Sequence, residues 1–290
     1  MNDYYIHLLI LICIYLIFAQ GLNIIFGLGG LLNLAHVACY AIGAYTTALL
    51  STELALPIWV CIPASMIFSG FFALIIGAIS LRLSEDYFAI GSLAFSSVVS
   101  ALLVNWKSLT RGVLGIPGIP RPEIDGIDFY QNSNFLFLSA PITLLALLFV
   151  WLLFKSKLSR SLRALSENEY GGAAVGKDRK GIRNKAFALS ATLAGLAGSL
   201  FAYYINYIDP SSFTLTEMVF VLSIVIVGKP GSFWGVNLAT FFLVLLPEPL
   251  RQVDIPPSIL GPMRQMLYAL ILFGVVFWRR KVLFPVERRV

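Results

Sequence analysis

His36 is a titratable side chain set inside an apolar run, and chemistry is sought there first. An imidazole can act as a general base when an acid orients it beside a nucleophile. Asn23 and Asn33 lie near it in sequence, and Ser92, Ser96 and Ser100 form a hydroxyl row at i, i+4, i+8 on a later apolar run. The apolar runs carry no Asp or Glu to orient the ring, so a hydrolase constellation is incomplete. Three roles stay open for His36: hydrogen bonding between helices, lining a pathway, and catalysis. A nucleotide signature also comes close. Gly171 to Lys177 reads G-x-x-x-x-G-K, but Asp178 follows where a Ser or Thr hydroxyl meets Mg²⁺, and no strand precedes it. The chain is not expected to hydrolyse ATP itself. Cys13, Cys39 and Cys61 lie in or beside apolar runs without metal-ligand spacing and read as packing residues. No catalytic residue, metal or cofactor is assigned.

The elements that must position these residues are set by composition. Of 290 residues, 58% are hydrophobic and 12% charged, about half the charge of a soluble domain. Mean hydropathy is +0.84. An ordinary soluble protein and a disordered chain are both excluded. A span needs about 20 apolar residues, so the length accommodates nine segments and short loops. The expected fold is an all-α polytopic membrane helix bundle of about eight to ten transmembrane helices, some short or discontinuous. The spans are placed at residues 4–26, 31–50, 57–81, 87–105, 135–154, 186–205, 218–227, 236–246 and 266–278. Two of these have only 10 or 11 residues; they extend into flanks such as Thr214–Glu217 or are half-helices facing a cavity. The first Lys or Arg is Arg82, so the first run is expected to stay as a helix rather than be cleaved.

Rows of small residues at i, i+4 spacing mark close helix contacts in lipid. They run through Ala35, Cys39, Gly43 and Thr47, through Cys61, Ser65, Ser69, Ala73 and Gly77, and through Ala191, Gly195 and Ser199 beside Ala194, Gly198 and Ala202. The net charge of +6 does not call for nucleic acid, because membrane proteins concentrate Lys and Arg on the cytoplasmic side. Strict alternation of nine segments puts sixteen of the 21 Lys and Arg on one side, nine of them in loop 155–185. That loop and the C-terminus are expected in the cytoplasm, with loop 106–134 outside. Leu158, Leu162 and Leu165 make one apolar stripe, predicting an amphipathic helix over Ser159–Tyr170 with Ser159 as its N-cap. It either lies on lipid headgroups or docks a partner. Proton-coupled transporters relay through buried ionisable groups; with His36 as the one candidate relay, energy is expected to enter through the basic loop instead.

The sequence resembles the permease subunits of bacterial ABC importers for branched-chain amino acids, the second of their two homologous permeases more closely. The resemblance rests on Leu34-Ala35-His36 with Ile42-Gly43-Ala44-Tyr45, on Tyr87-Phe88-Ala89-Ile90, and on Gly115-Ile116-Pro117-Gly118-Ile119-Pro120. Ser161-Leu162-Arg163-Ala164, Glu167-Asn168-Glu169 and Gly231-Ser232-Phe233-Trp234-Gly235 extend it. Lys229-Pro230 departs from the usual small or apolar pair. The resemblance implies one permease domain over residues 1–290 in the bacterial inner membrane. The implied partners are a homologous second permease, two cytoplasmic ATP-binding subunits and an external solute-binding protein. It makes Arg160, Arg163, Ala164, Glu167, Asn168 and Gly176 candidates for ATPase coupling, and Asn33, His36, Tyr45, Ser92 and Ser96 candidates for the substrate pathway. The alternatives are a urea, amide or other small-solute ABC permease, and a self-sufficient secondary transporter.

Overall fold

The computed structural model describes residues 2–80, 85–124, 127–168, 178–248 and 257–283. Helix α1 spans Asn2–Leu22 and runs on as a π-helical segment, Asn23–Leu28. It is followed by α2 (His36–Thr52), α3 (Ile58–Ser80), α4 (Glu85–Asn105) and the single turn α5 (Lys107–Thr110). Then come α6 (Asn132–Lys155), the surface helix α7 (Lys157–Glu167) and α8 (Arg179–Ile205). A helical hairpin, α9 (Leu215–Val227) and α10 (Phe233–Leu245), precedes α11 (Pro257–Leu283). Among the described residues, six helical segments are long and apolar enough to cross a membrane. The larger number expected from sequence counts as spans α2, α10 and α11, which fall outside those six. Helix α10 has 13 residues, roughly 20 Å of helix against about 30 Å of hydrocarbon. The apolar run of α9 reaches spanning length only with the residues from Pro210 onward.

The centre of the bundle is a three-helix seam in which α8 packs along both α2 and α3. Lipid tails are as apolar as Leu side chains, so close packing and hydrogen bonds must hold the seam instead. The rows of small residues supply both. A Cβ on Gly43 would lie 2.4 Å from the Gly195 Cα, so α2 and α8 meet backbone to backbone. The Thr47 hydroxyl donates to Ser199 Oγ at 2.8 Å, and Ser69 Oγ donates to the Cys39 carbonyl at 2.9 Å. The three cysteines are unpaired.

At the end opposite α7, loop 106–131 is pinned by Arg121. Its guanidinium lies 5.3 Å from the Tyr204 ring centre and 5.4 Å from that of Phe135. It donates to the carbonyls of Tyr204 (2.8 Å) and Tyr130 (2.7 Å) and to Asn206 Oδ1 (3.0 Å). Strand β1 (Ile116–Pro117) pairs antiparallel with β4 (Tyr207–Ile208), while β2 (Glu123–Ile124) and β3 (Ile127–Asp128) form a local hairpin. Strand β1 and Arg121 thus tie the middle of this loop to the C-terminal end of α8. Nearby Asp209 is partly buried, which raises its pKa, but hydrogen bonds from Ser211 and Ser212 outweigh that and hold the carboxyl below its ordinary range.

The seam makes a direct prediction. A Cβ on Gly195 would sit 2.5 Å from Ser69 Oγ and 2.7 Å from the Ser65 carbonyl oxygen. Overpacking costs about 1–3 kcal/mol, more where backbone is struck, and each kcal/mol shifts melting by about 2–4 °C at this size. Gly195→Leu is expected to lower the melting temperature of the purified protein by roughly 5–10 °C or to abolish folding. Gly274→Ala, whose Cβ meets nothing within 4 Å, should leave melting unchanged.

Candidate functional site

Helix α7 begins where α6 ends, and one side chain sets the break. Ser156 has extended backbone (φ −73°, ψ 168°), and its hydroxyl accepts from the Ser159 amide at 3.4 Å. The N-cap is therefore Ser156, not Ser159. Ser156 precedes the whole leucine stripe, Ser159 follows its first member, Leu158, and the extended backbone that a cap requires falls at Ser156. Leu162 and Leu165 are fully buried and Leu158 packs against the core. They seat α7 on α6, α8 and the π segment. Arg160, Arg163, Ala164, Glu167 and Asn168 are all exposed. Helix α7 ends at Glu167, with Asn168 already extended (φ −150°, ψ 102°), short of the expected Tyr170; Gly176 and the rest of the Gly171–Lys177 near-signature lie outside the described residues.

Arg163 is exposed yet engaged with its own chain: Nη2 donates to the Gly231 carbonyl at 3.1 Å. As a coupling candidate, Arg163 is therefore bonded within the chain rather than only presented to a partner. Gly231 lies in the turn between α9 and α10, at φ +77°, where a Cβ would strike the Gly27 carbonyl oxygen at 2.8 Å. Further polar groups of the turn are met by α1 and its π extension. Asn23 Oδ1 accepts from the Gly231 amide at 2.9 Å, and Asn23 Nδ2 donates to the Ser232 carbonyl at 3.3 Å and to Gln20 Oε1 at 3.2 Å. Gln20 Nε2 donates to the Phe233 carbonyl at 2.8 Å and to Asn237 Oδ1 at 2.6 Å. Gln20 and Asn23 are fully buried. A continuous polar chain thus runs from the middle of the bundle, through the hairpin turn, to the exposed face of α7.

The candidate pathway residues do not form one site. Asn33, His36 and Ser92 gather around the segment between the π helix and α2. Asn33 Oδ1 accepts from the Ala35 amide at 3.0 Å, and Ser92 Oγ accepts from the Leu34 amide at 3.0 Å. His36 stacks on Phe18 with ring centres 4.8 Å apart. Its Nε2 reaches the Phe18 carbonyl at 3.0 Å and its Nδ1 the Ser190 hydroxyl at 3.3 Å. Donation to the Phe18 carbonyl requires a proton on Nε2, and in that Nε2–H tautomer Nδ1 accepts from Ser190. Ser96 is half-buried and Ser100 exposed, so the hydroxyl row leaves the core as α4 proceeds. Tyr45 lies further along α2, with its ring 5.9 Å from that of Phe213; its hydroxyl is buried with no hydrogen-bond partner among the described residues.

Sequence reasoning misses a second polar group of residues at the end away from α7. A cleft of about 550 Å³ opens between α1, α9, α11 and the end of α10, and His7, Tyr15, Glu217 and Glu248 line it. None of the five candidate pathway residues borders it. His7 sits in the first apolar run, as His36 sits in the second, and could have been found the same way. Glu217 escapes because the apolar stretch is read from Met218, whereas α9 starts at Leu215.

The described residues form a multi-pass bundle with its polar chemistry at helix breaks and one amphipathic helix docked over a hairpin turn. The chain belongs to the family described as branched-chain amino acid transport system / permease component, whose sequence pattern matches residues 4–276. It is 34% identical to the high-affinity branched-chain amino acid transport system permease protein LivM of Escherichia coli (strain K12), over 95% of this chain and 68% of that one. It is 29% identical to the probable branched-chain amino acid transport permease protein LivM of Methanocaldococcus jannaschii, over 88% of this chain and 74% of that one. The autoinducer 2 import system permease protein LsrC of Salmonella typhi matches half of this chain at 29% identity, covering 42% of its own length. No solved structure gives a significant match. A permease component is not the ATP-hydrolysing subunit of such a system.

The geometry of His36 yields a test. His36→Leu removes the side-chain donor to the Phe18 carbonyl and the acceptor of the Ser190 hydroxyl, and a lost buried hydrogen bond costs about 1–3 kcal/mol when a partner is left unsatisfied. The variant is expected to melt several degrees lower, with transport falling only as far as the folded fraction falls. Unchanged melting together with lost transport would instead place the ring in the pathway.

Proposed function

We propose that this chain forms half of the translocation path of an ATP-driven importer for branched-chain, aliphatic amino acids. In this reading it works beside a homologous second permease, with two ATP-binding subunits on the α7 side and a solute-binding protein on the side of loop 106–134. The membrane is the bacterial cytoplasmic membrane, with α7, loop 155–185 and the C-terminus in the cytoplasm. The family membership supports the transport class, and the Lys and Arg distribution supports the orientation.

One observation carries the coupling part. Helix α7 buries Leu162 and Leu165 and presents Arg160, Ala164, Glu167 and Asn168 outward, while Arg163 ties it to the hairpin turn. A push on the outward face is then delivered to α9 and α10 as a rigid displacement rather than absorbed by a loop. Of the pathway candidates, Tyr45 fits best, because its buried hydroxyl has no partner among the described residues to occupy it. Asn33, His36, Ser92 and Ser96 are proposed to support the helices around that path.

The experiment is reconstitution with the partner subunits in proteoliposomes, reading L-leucine uptake and ATP hydrolysis together. Uptake is expected only with ATP and all subunits. Arg163→Glu puts a carboxylate against the Gly231 carbonyl and is expected to cut uptake at least tenfold while substrate-stimulated hydrolysis falls toward the basal rate. Uptake by this chain alone, without the ATP-binding subunits, would favour a self-sufficient transporter. Full uptake by the Arg163→Glu complex would remove α7 from the coupling role.

A further inference from the structure

The cleft between α1, α9, α10 and α11 has the composition of a site for a small amphiphilic cation. Its volume, about 550 Å³, lies within the roughly 300–1,000 Å³ of small-molecule sites. One wall is α1, contributing Tyr4, His7, Leu8, Leu11 and Tyr15 at helical spacing, so the cleft runs about 16 Å along that helix. The facing wall carries Glu217 in the first turn of α9, with Val219 and Phe220 beyond it. Tyr15 donates to Glu217 Oε1 at 2.6 Å, and the Tyr4 hydroxyl donates to Glu248 at the other end. His7 is engaged with the Tyr204 hydroxyl. Among the described lining residues there are two carboxylates and no Lys or Arg. An ionised carboxylate in a largely apolar membrane cleft is costly unless a cation accompanies it. The tyrosine hydroxyls hold the two carboxylates in place but bring no charge.

We propose that this cleft binds the ammonium group of an aliphatic amino acid, with Glu217 as its counter-ion and Leu8, Leu11, Val219 and Val244 receiving the side chain. The proposal rests on the importer reading and makes the cleft a station on the substrate's route, separate from the His36 cluster. Thr216 and Gln265 supply hydrogen-bond donors among the lining residues for the ligand's carboxylate. A phosphatidylethanolamine headgroup carries the same ammonium chemistry, so the test is run in membranes without that lipid.

The experiment uses the whole chain in nanodiscs of phosphatidylcholine and phosphatidylglycerol. A single cysteine at Val219, in a background with Cys13, Cys39 and Cys61 replaced, is alkylated with and without millimolar ligand. L-leucine and isopentylamine, which keep the ammonium, are expected to slow alkylation at least fivefold. Isocaproate, which keeps the carboxylate and alkyl chain but has no ammonium, should not. Glu217→Gln, whose amide oxygen can still accept from Tyr15, should abolish the protection. In the chain with its native cysteines, L-leucine should raise the melting temperature of the wild type and not of Glu217→Gln. Protection by isocaproate equal to that by L-leucine, protection unchanged in Glu217→Gln, or no protection by either amine overturns the proposal. Protection seen only when phosphatidylethanolamine is restored assigns the cleft to lipid and also overturns it. No ATP-binding subunit enters this assay, so failed reconstituted import with intact protection falsifies the importer reading alone. Intact import without protection falsifies the cleft alone.

Discussion

A helical hairpin with a five-residue turn leaves backbone donors and acceptors that neither helix can satisfy, and the α7 end of this protein is organised around pairing them. The turn at residues 228–232 satisfies part of the need itself, through Ser232 N to the Lys229 carbonyl at 3.0 Å and Lys229 N to the Ile226 carbonyl at 3.3 Å. The Gly231 amide and the Ser232 and Phe233 carbonyls are met by two amide side chains, Asn23 and Gln20, held on the last turn of α1 and its π extension. A carboxamide suits this task because it offers donor and acceptor together. The Gly231 carbonyl of the same turn accepts from Arg163 on the surface helix. Hairpin, first helix and surface helix are thereby joined through one short stretch of backbone.

The three-helix seam complements this arrangement. Helices α2, α3 and α8 meet with backbone nearly touching backbone, so they move as one body. The hairpin packs on α1 through buried apolar side chains, and its turn is tied to α1 and the π extension by directional hydrogen bonds. Packed interfaces switch between discrete arrangements rather than deforming continuously, and the hairpin turn is the place where α1, α7 and the hairpin meet. In the importer reading, force applied to α7 acts at that place.

Local pattern makes some of this legible in the sequence and hides the rest. The leucine stripe of α7 and the small-residue rows of the seam are periodic, and period alone identifies them. Ser156 rather than Ser159 caps α7 because the end of α6 decides where the backbone turns extended. The roles of Asn23 and Gln20 depend on partners more than 200 residues away, which no window reveals. Glu217 is hidden differently: a carboxylate at the edge of an apolar stretch reads as the boundary, yet the helix starts two residues before it. Arg163 looks like a solvated charge by type, and only the arrival of Gly231 beside it gives it a partner within the chain.

The central claim is that Asn23 holds the hairpin turn in place. Hydrogen-exchange mass spectrometry on the purified protein tests it, comparing wild type with Asn23→Ala. The account predicts that exchange across residues 228–237 accelerates at least tenfold in the variant, because the Gly231 amide loses its acceptor and the turn loses its tie to α1. Residues 186–202, in the seam, should exchange as slowly as before. Equal exchange across residues 228–237 in both proteins would contradict the claim.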